Sequence, residues 1–198
     1  MSRLLAWLAA VGLLIGAWLV AWVTPDGTRG YQEPFAVAAV IGEPAVARNL
    51  AVTVHDLTLA DTVSVGGWSA DGTWLVITLD AWVVHDENQA QIREAFLVLG
   101  DRTFRASERP GEYSPTASLF RAGLNLDLPR TGSITFELPA DAATEAGVLQ
   151  LAFGNGATDE QSAHALLLTD AVIELPVELS AVHRVEAIEL PTTEWTTR

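Results

Sequence analysis

The sequence predicts an all-β sandwich standing behind one membrane-spanning helix, and three observations lead there. Residues 4–23 read LLAWLAAVGLLIGAWLVAWV, with no charge among them. From residue 45 onward, short apolar runs alternate at period two between turns rich in Gly and Pro, recurring about every 10–20 residues. Helical periodicity is almost absent from that stretch, which favours two packed sheets, with a barrel as the alternative.

The apolar run comes first. As a helix it spans about 30 Å, the thickness of a bilayer's hydrocarbon core. A cleaved signal peptide is the competing reading, but its apolar core is about 7–15 residues long and is followed closely by a small-x-small site. Here the outer end is bulky, AWLVAWV over 17–23, and the nearest A-x-A, Ala36-Val37-Ala38, lies far beyond it. A buried helix of a soluble fold is the third reading and the weakest. A retained anchor is therefore expected. The α-amino group and Arg3 precede the run, so the short tail is expected in the cytoplasm and the domain outside. Trp7 near one end, and Trp18 with Trp22 near the other, suit the headgroup regions. Ala9, Gly12 and Gly16 form a small-residue groove of the GxxxG kind, through which a second helix, of this chain or another, can approach.

Composition narrows what the rest can do. The chain has 198 residues, so the portion beyond the anchor is enough for one domain and its core. Ten of its eleven arginines lie after position 24 against all 25 acids, a formal −15, and lysine is absent. Such a surface repels phosphate backbones, which excludes nucleic acid as a partner. There are no cysteines, hence no disulfide, thiolate nucleophile or thiolate metal site. The expected division is an anchor with a short cytoplasmic tail over 1–24, a connector over 25–44, the sandwich over 45–180, and a C-terminal strand or tail over 181–198.

Along the chain, 35–41 is apolar enough for an early strand, and 45–47 and 50–59 are strands. The second changes phase at His55-Asp56, which predicts a bulge. Residues 61–72, with Gly66-Gly67 and Asp71-Gly72, read as a loop. The best strand is 73–85. Leu75, Ile77, Leu79, Ala81 and Val83 face the core, while Trp74, Val76, Thr78, Asp80, Trp82 and Val84 form a mixed outer face. A hairpin turns at Gly100-Asp101-Arg102, 107–118 is loop, and 119–127 is ambiguous. Ile134, Phe136 and Leu138 share a strand face that Pro139 ends. A helical turn fits 140–146, a strand fits 148–153, and 154–164 is a polar loop. Residues 172–179 make a strand whose Pro176 predicts an edge or a bulge. One further strand fits 185–190, before a polar tail.

The order of these pieces carries a resemblance. Gly42-Glu43-Pro44, then LAVTVHDLTL (50–59), DGTWLVITL (71–79), FLVLGDRTF (96–104) and TGSITFELP (131–139), resembles the DUF4352 type of immunoglobulin-like domain, found in bacterial lipoproteins and membrane-anchored surface proteins. Gly72 matches that family's strand-leading glycine, and Gly132, Phe136 and Pro139 match its late strand. The asparagine that usually ends the glycine-led strand is missing, with Val83-Val84-His85 in its region. The likeness covers about residues 42–179 and lies in strand patterns. It implies an immunoglobulin-like β-sandwich that serves as an extracytoplasmic interaction or accessory module. It carries no catalytic residue onto any position.

Candidate sites are few. His55 beside Asp56, His85 beside Asp86 and Glu87, and Asp159-Glu160 with His164 offer donors that suit Zn or Mn, but lack HExxH or comparable spacing and read as solvated turns. There is no G-x-S-x-G elbow. Asp80 is the one acid on a strand face, where a cross-strand arginine explains it better than acid catalysis does. No catalytic, cofactor or metal residue is expected. Arg102, Arg105 and Arg109 read as a solvated basic face rather than an anion site. Trp68, Trp74 and Trp82 are the interface candidates, against the plainer reading that they cover the sheet. The expected function is contact with a membrane or envelope protein beside the lipid bilayer, with no catalysis. The alternatives are binding of carbohydrate or cell-wall polymer through exposed tryptophans, and a hydrolase site built from scattered loop acids.

Overall fold

The computed structural model describes residues 2–23, 34–85, 91–153 and 171–196, and divides into two units at residue 34. In the first, the uncharged run folds as one helix, α1 (Ser2–Val23), with 7–21 exposed on every side. Counted over the described residues alone, no helix is long and apolar enough to cross a membrane. The backbone of α1 runs through 22 residues, or about 33 Å at 1.5 Å per residue.

The second unit is built around a hairpin of two 16-residue strands, β3 (Leu50–Val65) and β4 (Trp68–Val83). Gly66 and Gly67 join them at φ +55° and +87°, a pair of left-handed positions that glycine adopts without strain and that matches the twist of the flanking strands. The expected loop over 61–72 is thus the tip of a paired hairpin. Its Ser, Asp and Gly residues hide the alternation of Ala60, Val63 and Val65, all buried. The phase change at His55-Asp56 is a register shift between Val54 and Asp56, as a bulge there requires, and a second shift falls between Ala60 and Thr62.

Around this hairpin the larger sheet runs β10–β3–β4–β7–β11, comprising β7 (Arg130–Leu138), β10 (His183–Glu189) and β11 (Glu194–Trp195), with β2 (Pro44–Ala47) also on β3. The smaller sheet runs β1–β9–β8–β5–β6, comprising β1 (Phe35–Ala38), β5 (Ile92–Leu99), β6 (Arg102–Arg105), β8 (Ala146–Phe153) and β9 (Ala171–Glu178). Pairing is parallel at β1–β9 and β10–β3. The predicted connector therefore contains a sandwich strand, and the predicted tail supplies β10 and β11. Pro176 lies in regular register with Val148, on the part of β9 beyond its pairing with β1. Pro139 ends β7 and leads into a 3₁₀ turn, Ala140–Thr144.

Leu97, Leu99, Leu149, Leu151, Ile173 and Leu175 of the smaller sheet meet Leu75, Ile77, Leu79, Ile134 and Phe136 of the larger in one core. The architecture is a β-sandwich, with the predicted inner face of β4 fully buried. Two packed sheets are what the structure shares with the immunoglobulin-like expectation.

Strands β5 and β8 of the smaller sheet crowd each other at Gly147, which opposes Leu99. A Cβ there would collide with the Val98 carbonyl oxygen and crowd Leu99 Cδ2. Gly147→Ala is expected to cost about 2–3 kcal/mol, since backbone cannot move aside as a side-chain end can. Urea denaturation would show it as a lowered midpoint, and an unchanged midpoint would contradict the β5–β8 register.

Candidate functional site

The richest constellation gathers around a short helix, α2 (Arg109–Tyr113), which has Pro110 in its first turn, where a missing N–H costs nothing. Tyr113, 57% exposed, stacks on Trp68 with ring centroids 5.0 Å apart. Trp68 in turn meets the edge of Trp74 at 6.2 Å and 90°. The Arg109 guanidinium lies 5.2 Å from the Trp68 ring and 5.8 Å from the Trp74 ring, and its Nη1 donates to Glu137 Oε2 at 3.1 Å. A cation held between two indoles and a carboxylate is fixed in place by charge on both sides.

On the other side of α2, Phe120 takes two more guanidiniums, those of Arg105 at 5.3 Å and Arg121 at 5.7 Å. Both converge on Glu108 Oε1, at 3.2 and 3.3 Å. Glu108, Gly111, Glu112, Ser118, Phe120 and Arg121 line a cleft of about 290 Å³ beside them. Glu94 of β5 is a buried acid, 2% exposed. Glu108 and Glu112 line the cleft together with Arg121.

A third arrangement crosses the larger sheet. The bulge turns His55 outward, and its Nε2 lies 3.0 Å from Asp80 Oδ2. Thr131 Oγ1 donates to Asp80 Oδ1 and lies 2.7 Å from Thr196 Oγ1. Asp80 thus has a histidine and a threonine as partners instead of the expected arginine. The row runs across a sheet face.

The structure corrects two of the three interface candidates. Trp74 is 1% exposed and Trp82 7%. Trp74 is the centre of a second core with Ala60, Val63, Val65, Val76, Ala117 and Leu190. Around Trp74 the outer face of β4 is covered by Ala117 and Leu190, which are distant in sequence, and Trp82 is buried as well. Trp68 is half-buried at that core's edge. Arg102, Arg105 and Arg109 do not form one face. Arg102 binds Asp141 and Glu145, Arg105 binds Glu108, and Arg109 binds Glu137. Desolvation pulls the Arg102 guanidinium down, but hydrogen bonds and charge from Asp141 and Glu145 outweigh it and hold the pKa above its ordinary value. Burial lowers that of Arg130, which lies 4.9 Å from the Trp195 ring.

Among the described residues no three of His, Cys, Asp or Glu converge as metal ligands. Asp159, Glu160 and His164 lie outside the described residues, as do Asp86 and Glu87. On α1, Gly12 and Gly16 have no atom within 4 Å of where a Cβ would stand. The α2 constellation was not legible beforehand, apart from Trp68 and the arginines. Tyr113, Glu137 and Phe120 come from separate segments, and only the fold brings them together.

No protein family matches the chain, and no curated protein does. Among solved structures, it is similar to an uncharacterized β-sandwich protein from Clostridium difficile. The identity is 11% and the TM-score 0.45, covering 74% of this chain and 97% of that one.

Trp74→Ala is expected to cost about 3–5 kcal/mol, the range for emptying a buried aromatic site. In a double-mutant cycle, Arg109→Ala and Trp68→Ala should couple by about 0.5–1 kcal/mol. Strict additivity in denaturant titrations would mean that the guanidinium–indole contact contributes nothing.

Proposed function

We propose that this protein is a membrane-anchored contact module, with α1 crossing the bilayer N-terminus inward and the sandwich working outside the cytoplasm on a partner protein. The observation that carries the reading is α1. A helix apolar all round needs a core or a lipid phase to cover it, and its described side chains are exposed along 7–21. Twenty consecutive residues without charge give it the length to span. Ala9, Gly12 and Gly16 give the same helix a face on which a second helix can pack.

The corner around α2 supports the partner half of the proposal. Trp, Tyr and Arg are the residue types that dominate binding hot spots, and Trp68, Tyr113 and Arg109 sit there already locked in position. Preorganised side chains lose little entropy on binding. A carbohydrate platform is less well supported, because the Trp68 ring is already engaged by Tyr113, Arg109 and Trp74.

The chain should resist alkaline extraction from membranes, and a C-terminal reporter active only outside the cytoplasm should be active. Purified in mild detergent, it should carry a second protein in fixed ratio that Trp68→Ala together with Tyr113→Ala releases. Purification as a bare monomer would count against the proposal.

A further inference from the structure

The outer edge of β3 carries two strands end to end, with a gap between them. β2 covers Leu50–Thr53, and the Gly42 N–H reaches the Val54 carbonyl. β10 begins only at Thr58. The gap falls on the bulge, at residues 55–57. In the other sheet β1 stops at Glu174, whose carbonyl accepts from the Ala39 N–H at 2.8 Å, so 175–178 of β9 have no described strand on that side. The two openings share one groove of about 410 Å³. Ile41, Leu57, Val177 and Val182 line it, together with Asp56, Glu178 and His183.

Both carboxylates are exposed, and each accepts a hydrogen bond from one nearby hydroxyl, Thr58 Oγ1 or Ser180 Oγ, at 2.8 Å. Among the described residues neither has a cationic partner, a condition they share with Asp71, Glu112 and Glu189. An added strand is poorly served here. Pro176 points the same way as Glu174, toward the open edge, and has no N–H to offer. What the groove suits is a side chain. Leu57 and Val177 are buried members of the main core, so an apolar group entering there would extend that core outward.

We propose that this groove receives an apolar side chain of a partner protein, carried next to a lysine or arginine that pairs with Asp56 or Glu178. This rests on the contact-module reading and names the chemistry of the partner. Charge complementarity is the argument for the cation: two carboxylates without an ion-pair partner among the described residues, and one histidine, His183, flank a largely apolar slot on a domain of formal charge −15, from ten arginines and 25 acids.

The test uses the full chain in non-ionic detergent and a fluorescein-labelled ten-residue peptide of alternating leucine and lysine, read by anisotropy. Peptides alternating serine with lysine, and leucine with glutamate, serve as controls. Ala181→Trp places a bulky ring in the groove from an exposed position and should weaken binding about tenfold or more, as loss of an anchoring pocket does. Asp56→Asn combined with Glu178→Gln should weaken it about threefold or more and flatten its salt dependence. If Ala181→Trp lowers the melting temperature, Ile41→Ala, also exposed, replaces it with a smaller expected loss.

Equal binding of the serine–lysine peptide, or leucine–lysine binding indifferent to these variants, would overturn the groove as a site. A partner that still co-purifies with Ala181→Trp would overturn the groove as its seat and leave the contact module standing. Selective peptide binding without any co-purifying protein would uphold the groove and remove the contact reading.

Discussion

A central strand with apolar side chains on both faces must be covered twice, and β4 imposes that requirement on the whole domain. Leu75, Ile77 and Leu79 on one face and Trp74 and Val76 on the other are all buried. Burying each such side chain is worth roughly 1.5–3 kcal/mol. The opposing sheet satisfies the first face. The second is covered by the returning chain, with Ala117 from the segment after α2 and Leu190 just past β10. The parallel pairing of β10 with β3 serves the same end, because it brings Leu190 back over Trp74. The smaller core gives Trp68 a rigid neighbour, and Trp68 in turn orders Tyr113 and Arg109.

The bulge in β3 is the second organising feature. One additional residue at His55 shifts the phase of the strand, so that Val54 and Leu57 both face the core while His55 turns outward to Asp80. The same irregularity interrupts the edge on which β2 and β10 sit. A strand without it would offer a continuous edge, with no groove between the two sheets.

Much of the sandwich was legible because it is written in local alternation. The inner face of β4, the bulge, the β5–β6 hairpin and the stop at Pro139 each rest on neighbouring residues whose pattern decides the outcome. What was not legible depends on distant pairing. Residues 61–72 have the composition of a loop and became strand because β3 and β4 hold each other there. Trp74 and Trp82 sit on a face that looks half-polar in sequence, and no local pattern reveals the segments that cover it. β11 is two residues long and exists through its pairing with β7. The arginines behave likewise. Their spacing suggests one basic face, whereas Arg102 is drawn to Asp141 and Glu145 and Arg109 to Glu137, partners about thirty to forty residues away, and Arg105 keeps its near neighbour Glu108.

The strand order also governs when the domain can close. Phe35 pairs with Ala171, and Ser64 with Glu189, so both sheets wait for residues made more than a hundred positions after their partners. Such distant pairings fold slowly, and the early strands keep unsatisfied edges meanwhile. A nascent polypeptide would therefore expose the outer edges of the β3–β4 hairpin until nearly all of the sequence had been made. Nascent chains of this protein are the species most in need of a holding chaperone, and the window of risk closes when Leu190 settles over the indole.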